Sequence, residues 1–358
     1  MSEQTVLVEV RNSVGHLTLN RPAGLNALNL DMVRQLRSQL DAWLQDDGIK
    51  AVVLRANGEK AFCAGGDIRG LYDSYLAGDG MYMTFFREEY ALDQLIHAYP
   101  KPVLALMDGF VLGGGMGLAQ AASHRVITER VKMGMPETGI GYFPDVGGSY
   151  FLPRLEGAIG QYLGVTGTHI RAADALYCGL ADHCLGSELI GEFDQALNQL
   201  DWSAEPAKDL DQLLHKHASQ KIPGSEIKAM RSAIDHHFSQ PDMHRIRASL
   251  AAEECPAFQD WAERTLAAID AKSPLAMCVT LELLRQGREL TLADCFALEL
   301  HLDSQWFADG DIMEGVRALI VDKDKNPRWN PPTLAEVDPA RVAAFFAGFE
   351  PSQAAERA

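Results

Sequence analysis

Twice in its first half the chain runs through a short apolar stretch and then straight into a cluster of glycines. Ile49–Leu54 (IKAVVL) leads through Asn57-Gly58 to Ala61–Arg69 (AFCAGGDIR), and Pro102–Met107 (PVLALM) leads to Leu112–Gly117 (LGGGMG). Both apolar runs are too short for helices and read as buried strands. Helical patterns alternate with them. Met32, Val33, Leu36, Leu40, Trp43 and Leu44 follow Asn29, a suitable cap, and stop before Gly48. A second helix is predicted over Thr84–Ala98, ending at Tyr99-Pro100, and a third over Met116–Ala122, followed by a strand at His124–Thr128. Upstream of these, Val6, Val8 and Val10 face Leu17 and Leu19 across Asn12–Gly15, the pattern of a β-hairpin. Strands alternating with helices predict an α/β class, with a parallel sheet and ligand-binding groups in the loops that follow strands.

Beyond Leu155 the pattern turns helical, around Ile159–Gly164, Ala172–Tyr177 and Gly191–Leu200. Leu200–Gln240 is polar and broken by Pro and Gly. Strong helical periodicity returns over Ala257–Ala271, Leu275–Gly287 and Leu292–Asp309, and the Pro-rich stretch Asn326–Pro332 reads as extended surface chain. The organisation expected is an α/β core over residues 1–200 and a mainly helical C-terminal region over residues 201–358 that packs on it.

Charge narrows the partners. The 358 residues carry a formal net charge of −17, which argues against general nucleic-acid or membrane-surface binding, since either needs a cationic face. Six cysteines without a CxxC pair suggest neither a disulfide framework nor a metal site. The N-terminus has neither a signal-like nor a transit-like pattern, and no apolar run reaches spanning length, so a cytoplasmic protein is expected. Phosphate-loop, HExxH and GxSxG signatures are absent.

Chemistry concentrates in three loops. Met135–Arg154 (MPETGIGYFPDVGGSYFLPR) carries two carboxylates, Glu137 and Asp145, on backbone too rich in Pro and Gly for one helix or strand. Such loops build either solvated turns or sites. The two glycine loops let a ligand approach backbone N–H groups, and two converging on one carbonyl oxygen would form an oxyanion hole; tight turns alone would also use glycine. Cys63 reads as a small packing residue and His236-His237 as a surface pair, while Arg87, Glu88 and Glu89 look like a charged helix face. Lys323, Lys325 and Arg328 form a small basic cluster, read as a solvated tail.

AFCAGGDI, VLGGGMGL and MPETGIGYFPDVGGSYFLPRL, taken in order, resemble the crotonase (enoyl-CoA hydratase/isomerase) superfamily. The likeness extends through FFREEY (Phe85–Tyr90) and Gly310–Pro332, nearly the whole chain. It implies a spiral of ββα units followed by C-terminal helices, and an acyl-CoA thioester held by backbone N–H groups, here those of Ala64 and Gly114. Hydratases of the superfamily use two glutamates; one corresponds to Glu137, whereas the other falls at Gly117. Asp145 stands where hydratases usually have glycine, and the Glu137–Asp145 pair matches a hydrolase branch in which Glu89 also lines the substrate pocket. The resemblance therefore implies hydrolysis of 3-hydroxyisobutyryl-CoA, or a close short-chain hydroxyacyl-CoA, in valine catabolism. It implies no cofactor, because coenzyme A is part of the substrate, no metal, and a homotrimer or hexamer. The alternatives are an enoyl-CoA hydratase or isomerase, and a non-catalytic acyl-CoA- or RNA-binding protein on the same fold.

Overall fold

The computed structural model of the protein describes residues 4–218 and 222–352. Its strands are β1 (Val6–Arg11), β2 (Val14–Leu19), β3 (Ala51–Ala56), β4 (Ala61–Cys63), β5 (Val103–Met107), β6 (Phe110–Leu112), β7 (His124–Ile127), β8 (Lys132–Gly134) and β9 (His183–Cys184). The helices begin with α1 (Leu30–Leu44), α2 (Ile68–Ala77), α3 (Met81–His97) and α4 (Gly114–Ala121). Then come α5 (Gly148–Phe151), α6 (Ile159–Thr166), α7 (Ala172–Cys178), α8 (Ile190–Asn198) and α9 (Pro206–His217). The later helices include α10 (Glu226–Phe238), α11 (Met243–Ala251), α12 (Gln259–Asp270), α13 (Pro274–Gly287) and α14 (Leu292–Asp309).

Two compact units, each discontinuous in sequence, divide the chain. The first takes residues up to Asp67, 88–134 and 170–226; the second takes 68–87, 135–169 and the chain from 227 onward.

The first unit holds both sheets. A six-stranded sheet has the order β1-β2-β3-β5-β7-β9, and a three-stranded sheet the order β4-β6-β8. Only the β1–β2 hairpin is antiparallel in the large sheet. Its turn uses Asn12 and Ser13, both at positive φ (47° and 62°), the geometry that suits a two-residue hairpin. Successive pairs β3/β4, β5/β6 and β7/β8 each send one strand to the large sheet and the next to the small one. This is the expected α/β class with ββα units. The short strands of the small sheet escaped the sequence reading because three residues are too few to show a period of two.

Phe193, Leu197, Leu210 and Leu214, from α8 and α9, pack with Val14, Val53, Leu104 and Val126 in one buried cluster. Helices α8 and α9 thus belong with the sheet. Helices α13 and α14 instead pack with α5 and α6 in the second unit. A single cut after residue 200 is therefore replaced by an interleaved division: the loop with Glu137 and Asp145 goes with the late helices, and α9 goes with the sheet. The C-terminal region is helical as expected. Among the described residues no helix is long and apolar enough to cross a membrane.

Helix α1 starts where its cap predicts, with the Asn29 side chain accepting the Met32 N–H at 2.9 Å. Asn29→Ala leaves that donor without its partner and is expected to cost about 1 kcal/mol. A urea unfolding midpoint lowered by the corresponding amount, with an unchanged slope, checks it.

Candidate active site

In the first unit the glycine loops meet. Helix α4 begins at Gly114 rather than at Met116, so the glycines themselves form its first turn. Met116 and Gly117 donate their N–H groups to the Gly113 carbonyl at 2.7 and 3.1 Å. The Gly114 N–H, at the first helical position, has no acceptor within the helix and carries the positive end of its dipole. A Cβ built on Gly114 would collide with Oε1 of Glu89 and would lie 3.5 Å from the Gly66 nitrogen. Glu89 and Gly66 are thus the immediate neighbours of Gly114. Glu89, read from sequence alone as part of a charged face, is only 2% exposed.

Ala64 does not offer the N–H expected of it. That group donates to the Leu25 carbonyl at 3.1 Å and is committed to the protein's own backbone. Gly66 is differently placed. Leu28 and Gly66 form a parallel bridge in which Leu28 N–H bonds Gly65 O at 2.8 Å and Asp67 N–H bonds Leu28 O at 2.7 Å. In that pattern the N–H of the bridged residue faces the opposite side, so the Gly66 N–H is turned away from Leu28. Ladder alternation shows this, and motif position did not. Cys63 is no nucleophile: complete burial pushes its thiol up to about 12, leaving almost no thiolate.

In the second unit, Glu137 opens the single 3-10 turn Glu137–Ile140, and its carbonyl accepts the Tyr142 N–H at 2.9 Å. Trp306 of α14 donates its indole N–H to the Gly141 carbonyl at 2.8 Å and fixes the end of the turn. Glu137 and Asp145 are 6% and 5% exposed, which excludes the solvated-turn alternative. Oε2 of Glu137 is buried and, among the described residues, accepts no hydrogen bond. Burial first, and then the charge of Asp145, hold the Glu137 pKa well above the usual carboxylate range; the Lys272 ammonium pulls weakly the other way. The two acids are therefore near enough to couple. Lys272 in turn has its pKa lowered by burial, with Glu137 opposing.

A second layer of acids lies behind the loop. Glu299 and Asp303, four residues apart on α14, are both fully buried. The Tyr142 hydroxyl makes a close hydrogen bond to Asp303 and lies 3.4 Å from Oδ2 of Asp145. Glu299 accepts the N–H groups of Gly147 and Ser149 at 2.9 and 3.0 Å. Burial raises its pKa to about 8, and the Asp145 charge adds to that. Lys272, Tyr142, Glu299 and Asp303 were not singled out from sequence. The signal was present for the last two, as acids at helical spacing among the buried Leu298, Leu302 and Trp306.

A buried carboxyl whose ionisation is shifted upward, Glu137, with a second buried acid, Asp145, acting on it suits acid–base or nucleophilic chemistry. A helix-terminal N–H beside a second outward-facing N–H suits a developing oxyanion. The other candidates fall away. His237 is buried rather than on the surface, and bonds Ser249 at 2.7 Å and Glu253 at 2.9 Å.

The sequence model of the enoyl-CoA hydratase/isomerase family matches residues 14–346. A Gallus gallus protein named "3-hydroxyisobutyryl-CoA hydrolase, mitochondrial" is 40% identical over 96% of this chain and 89% of its own. A Danio rerio protein of the same name is 39% identical over 96% and 90%. A crystal structure titled as a carnitinyl-CoA dehydratase from Mycobacterium thermoresistibile superposes with a TM-score of 0.88, at 39% identity and 98% coverage of both chains. One titled as an enoyl-CoA hydratase from Rhodobacter sphaeroides 2.4.1 gives 0.85 at 36% identity, covering 96% of this chain and 97% of that one. With the glycine loops and buried acids in their expected order, the chain belongs to the enoyl-CoA hydratase/isomerase, or crotonase, family.

Proposed function

We propose that this protein is a CoA-thioester hydrolase that converts 3-hydroxyisobutyryl-CoA, or a close short-chain hydroxyacyl-CoA, and water to the free hydroxy acid and coenzyme A, in valine catabolism. The observation that carries this is the pair of buried acids Glu137 and Asp145 combined with glycine at position 117. Hydration of an enoyl thioester needs an acid and a base addressing two carbons, and Gly117 supplies neither. Hydrolysis needs one polarised carbonyl carbon and one oxygen nucleophile. The N–H groups of Gly114 and Gly66 would stabilise the oxyanion, Glu89 would line the acyl pocket, and Glu137 or Asp145 would either deprotonate water or attack the carbonyl to form an anhydride that water then opens. Both routes form a C–O bond, break the C–S bond and release a thiolate, a leaving group that requires little acid assistance.

A hydratase is the second reading, favoured by the titles of the two solved structures above. One assay separates them. With 3-hydroxyisobutyryl-CoA the expected result is release of free thiol; with crotonyl-CoA or methacrylyl-CoA, no loss of enoyl absorbance. Enoyl hydration at a rate comparable to thiol release would overturn the hydrolase reading, and neither signal would favour a non-catalytic binder.

The same proposal includes no metal or cofactor beyond the coenzyme A of the substrate, and no nucleic-acid partner, given the net charge of −17. A homotrimer or hexamer is part of it, to be read by light scattering. So is a cytoplasmic setting, which the six free cysteines suit, although the relatives are named mitochondrial; fractionation of the native cell decides.

A further inference from the structure

The segment carrying Asp145 turns in an unusual way. The Gly148 N–H donates to the Asp145 carbonyl at 2.7 Å, closing a tight turn whose two central residues, Val146 and Gly147, both have positive φ, 49° and 83°. Turns of that kind call for Asn, Asp or Gly at the first central position. A β-branched residue there is held against its own preference, and such conformations persist only where the surroundings over-determine them.

Glu299 is what over-determines this one. Its Oε2 accepts the N–H of Gly147 and its Oε1 that of Ser149, with the Ser149 hydroxyl on Oε1 as well. These donors flank the last residue of the turn. The acid is 0% exposed and projects from α14, an 18-residue helix. One helical turn further on, Asp303 takes the Tyr142 hydroxyl on the other side of Asp145. A buried carboxyl is a costly way to fill a core, and helix α14 spends two on one loop.

We infer that Glu299 is a positioning residue for the reaction: by gripping the main chain on the C-terminal side of Asp145 it holds the strained turn that aims the Asp145 carboxylate. This rests on the role proposed for Asp145. Glutamine at 299 keeps the volume but replaces one of the two carboxyl oxygens, each of which keeps a lone pair to accept with whether or not the acid is ionised, by an NH2 group that can only donate, so one of the two N–H groups would face another donor. The turn would then relax toward the conformation valine prefers. A displacement of about 1 Å in a reacting group can cost up to about 100-fold in rate.

The test compares Glu299→Gln with Leu302→Ala, which also weakens the buried side of α14 but touches no part of the loop's hydrogen bonding. Thiol release gives kcat and KM, and hydrogen exchange reads the Gly147 and Ser149 amides. For Glu299→Gln, kcat should fall at least about tenfold with KM within about twofold, and the two amides should exchange faster. Leu302→Ala, compared at the same distance below its melting temperature, should do neither. Retained kcat, retained protection of the amides, or an equal kcat loss in Leu302→Ala each overturns the inference. If Glu299→Gln does not fold, Ser149→Ala, which removes one donor to the same carboxyl, is read by the same criteria. Glu137→Gln and Asp145→Asn in the same assay keep the two levels apart: if they retain full turnover, the proposed function fails, and if they are inactive while Glu299→Gln is normal, only the positioning role fails.

Discussion

Glu137→Gln and Asp145→Asn are each expected to lower kcat by roughly 10²–10⁴ while leaving KM little changed, because each keeps the side chain's shape and removes the carboxylate. The two variants should differ in their pH behaviour. Only an ionised carboxylate can accept a proton from water or attack a carbonyl, and burial together with Asp145 holds the Glu137 pKa above its ordinary 4.5. Wild-type activity should therefore rise with pH along an acid limb displaced upward. Asp145→Asn removes the like charge, so its residual activity should have that limb at lower pH. Stability should move the other way from activity in Glu137→Gln. An acid whose folded-state pKa is raised holds its proton more tightly in the native state, so native stability is lost as pH rises through the folded value. Removing the acid removes that loss, and the variant should melt at the same or a higher temperature near neutral pH. Full turnover by both variants would sink the assignment of either acid to the chemistry.

How much of this was legible in the sequence depends on what each residue's signal was. Helices α1, α13 and α14 repeat their apolar residues every three to four positions and were found almost to the residue. Helix α2, Ile68–Ala77, was missed although Ile68, Leu71, Tyr72, Tyr75 and Leu76 follow helical spacing, because it is only ten residues long and runs straight on from the glycine loop that drew the reading of that stretch. The division into units was not legible, since which helix packs on which sheet is a matter of long-range contact and not of local pattern. Glu137 and Asp145 could be found as acids in a glycine-rich loop, but their burial could not. The N–H groups show the limit most clearly. Motif position pointed to Ala64, one of several small residues in AFCAGGDI, and only the parallel bridge at Leu28 decides which amide is turned inward to Leu25 and which faces away.

Gly114→Ala should reduce kcat by roughly 10²–10³, the scale on which one oxyanion donor acts, even though the added methyl group is small. The reason is where that methyl group would stand: on Oε1 of Glu89, with the Gly65 and Gly66 backbone at an ordinary 3.5 Å. Only the end of a side chain must yield, so the fold should survive with a melting temperature near that of wild type. Activity is then lost by one of two routes. Either the methyl group blocks a carbonyl oxygen from the Gly114 N–H, or it displaces Glu89 and damages the acyl pocket. The Glu89→Ala background distinguishes them, because it removes the colliding oxygen beforehand. If Gly114→Ala costs as much in that background as in wild type, the effects add and the N–H of Gly114 is what is lost. If it costs nothing further there, the glycine is needed only to make room for Glu89, and the oxyanion role passes to other donors. Unchanged turnover in the single variant would remove Gly114 from the reaction altogether and leave its glycine as no more than the close start of α4.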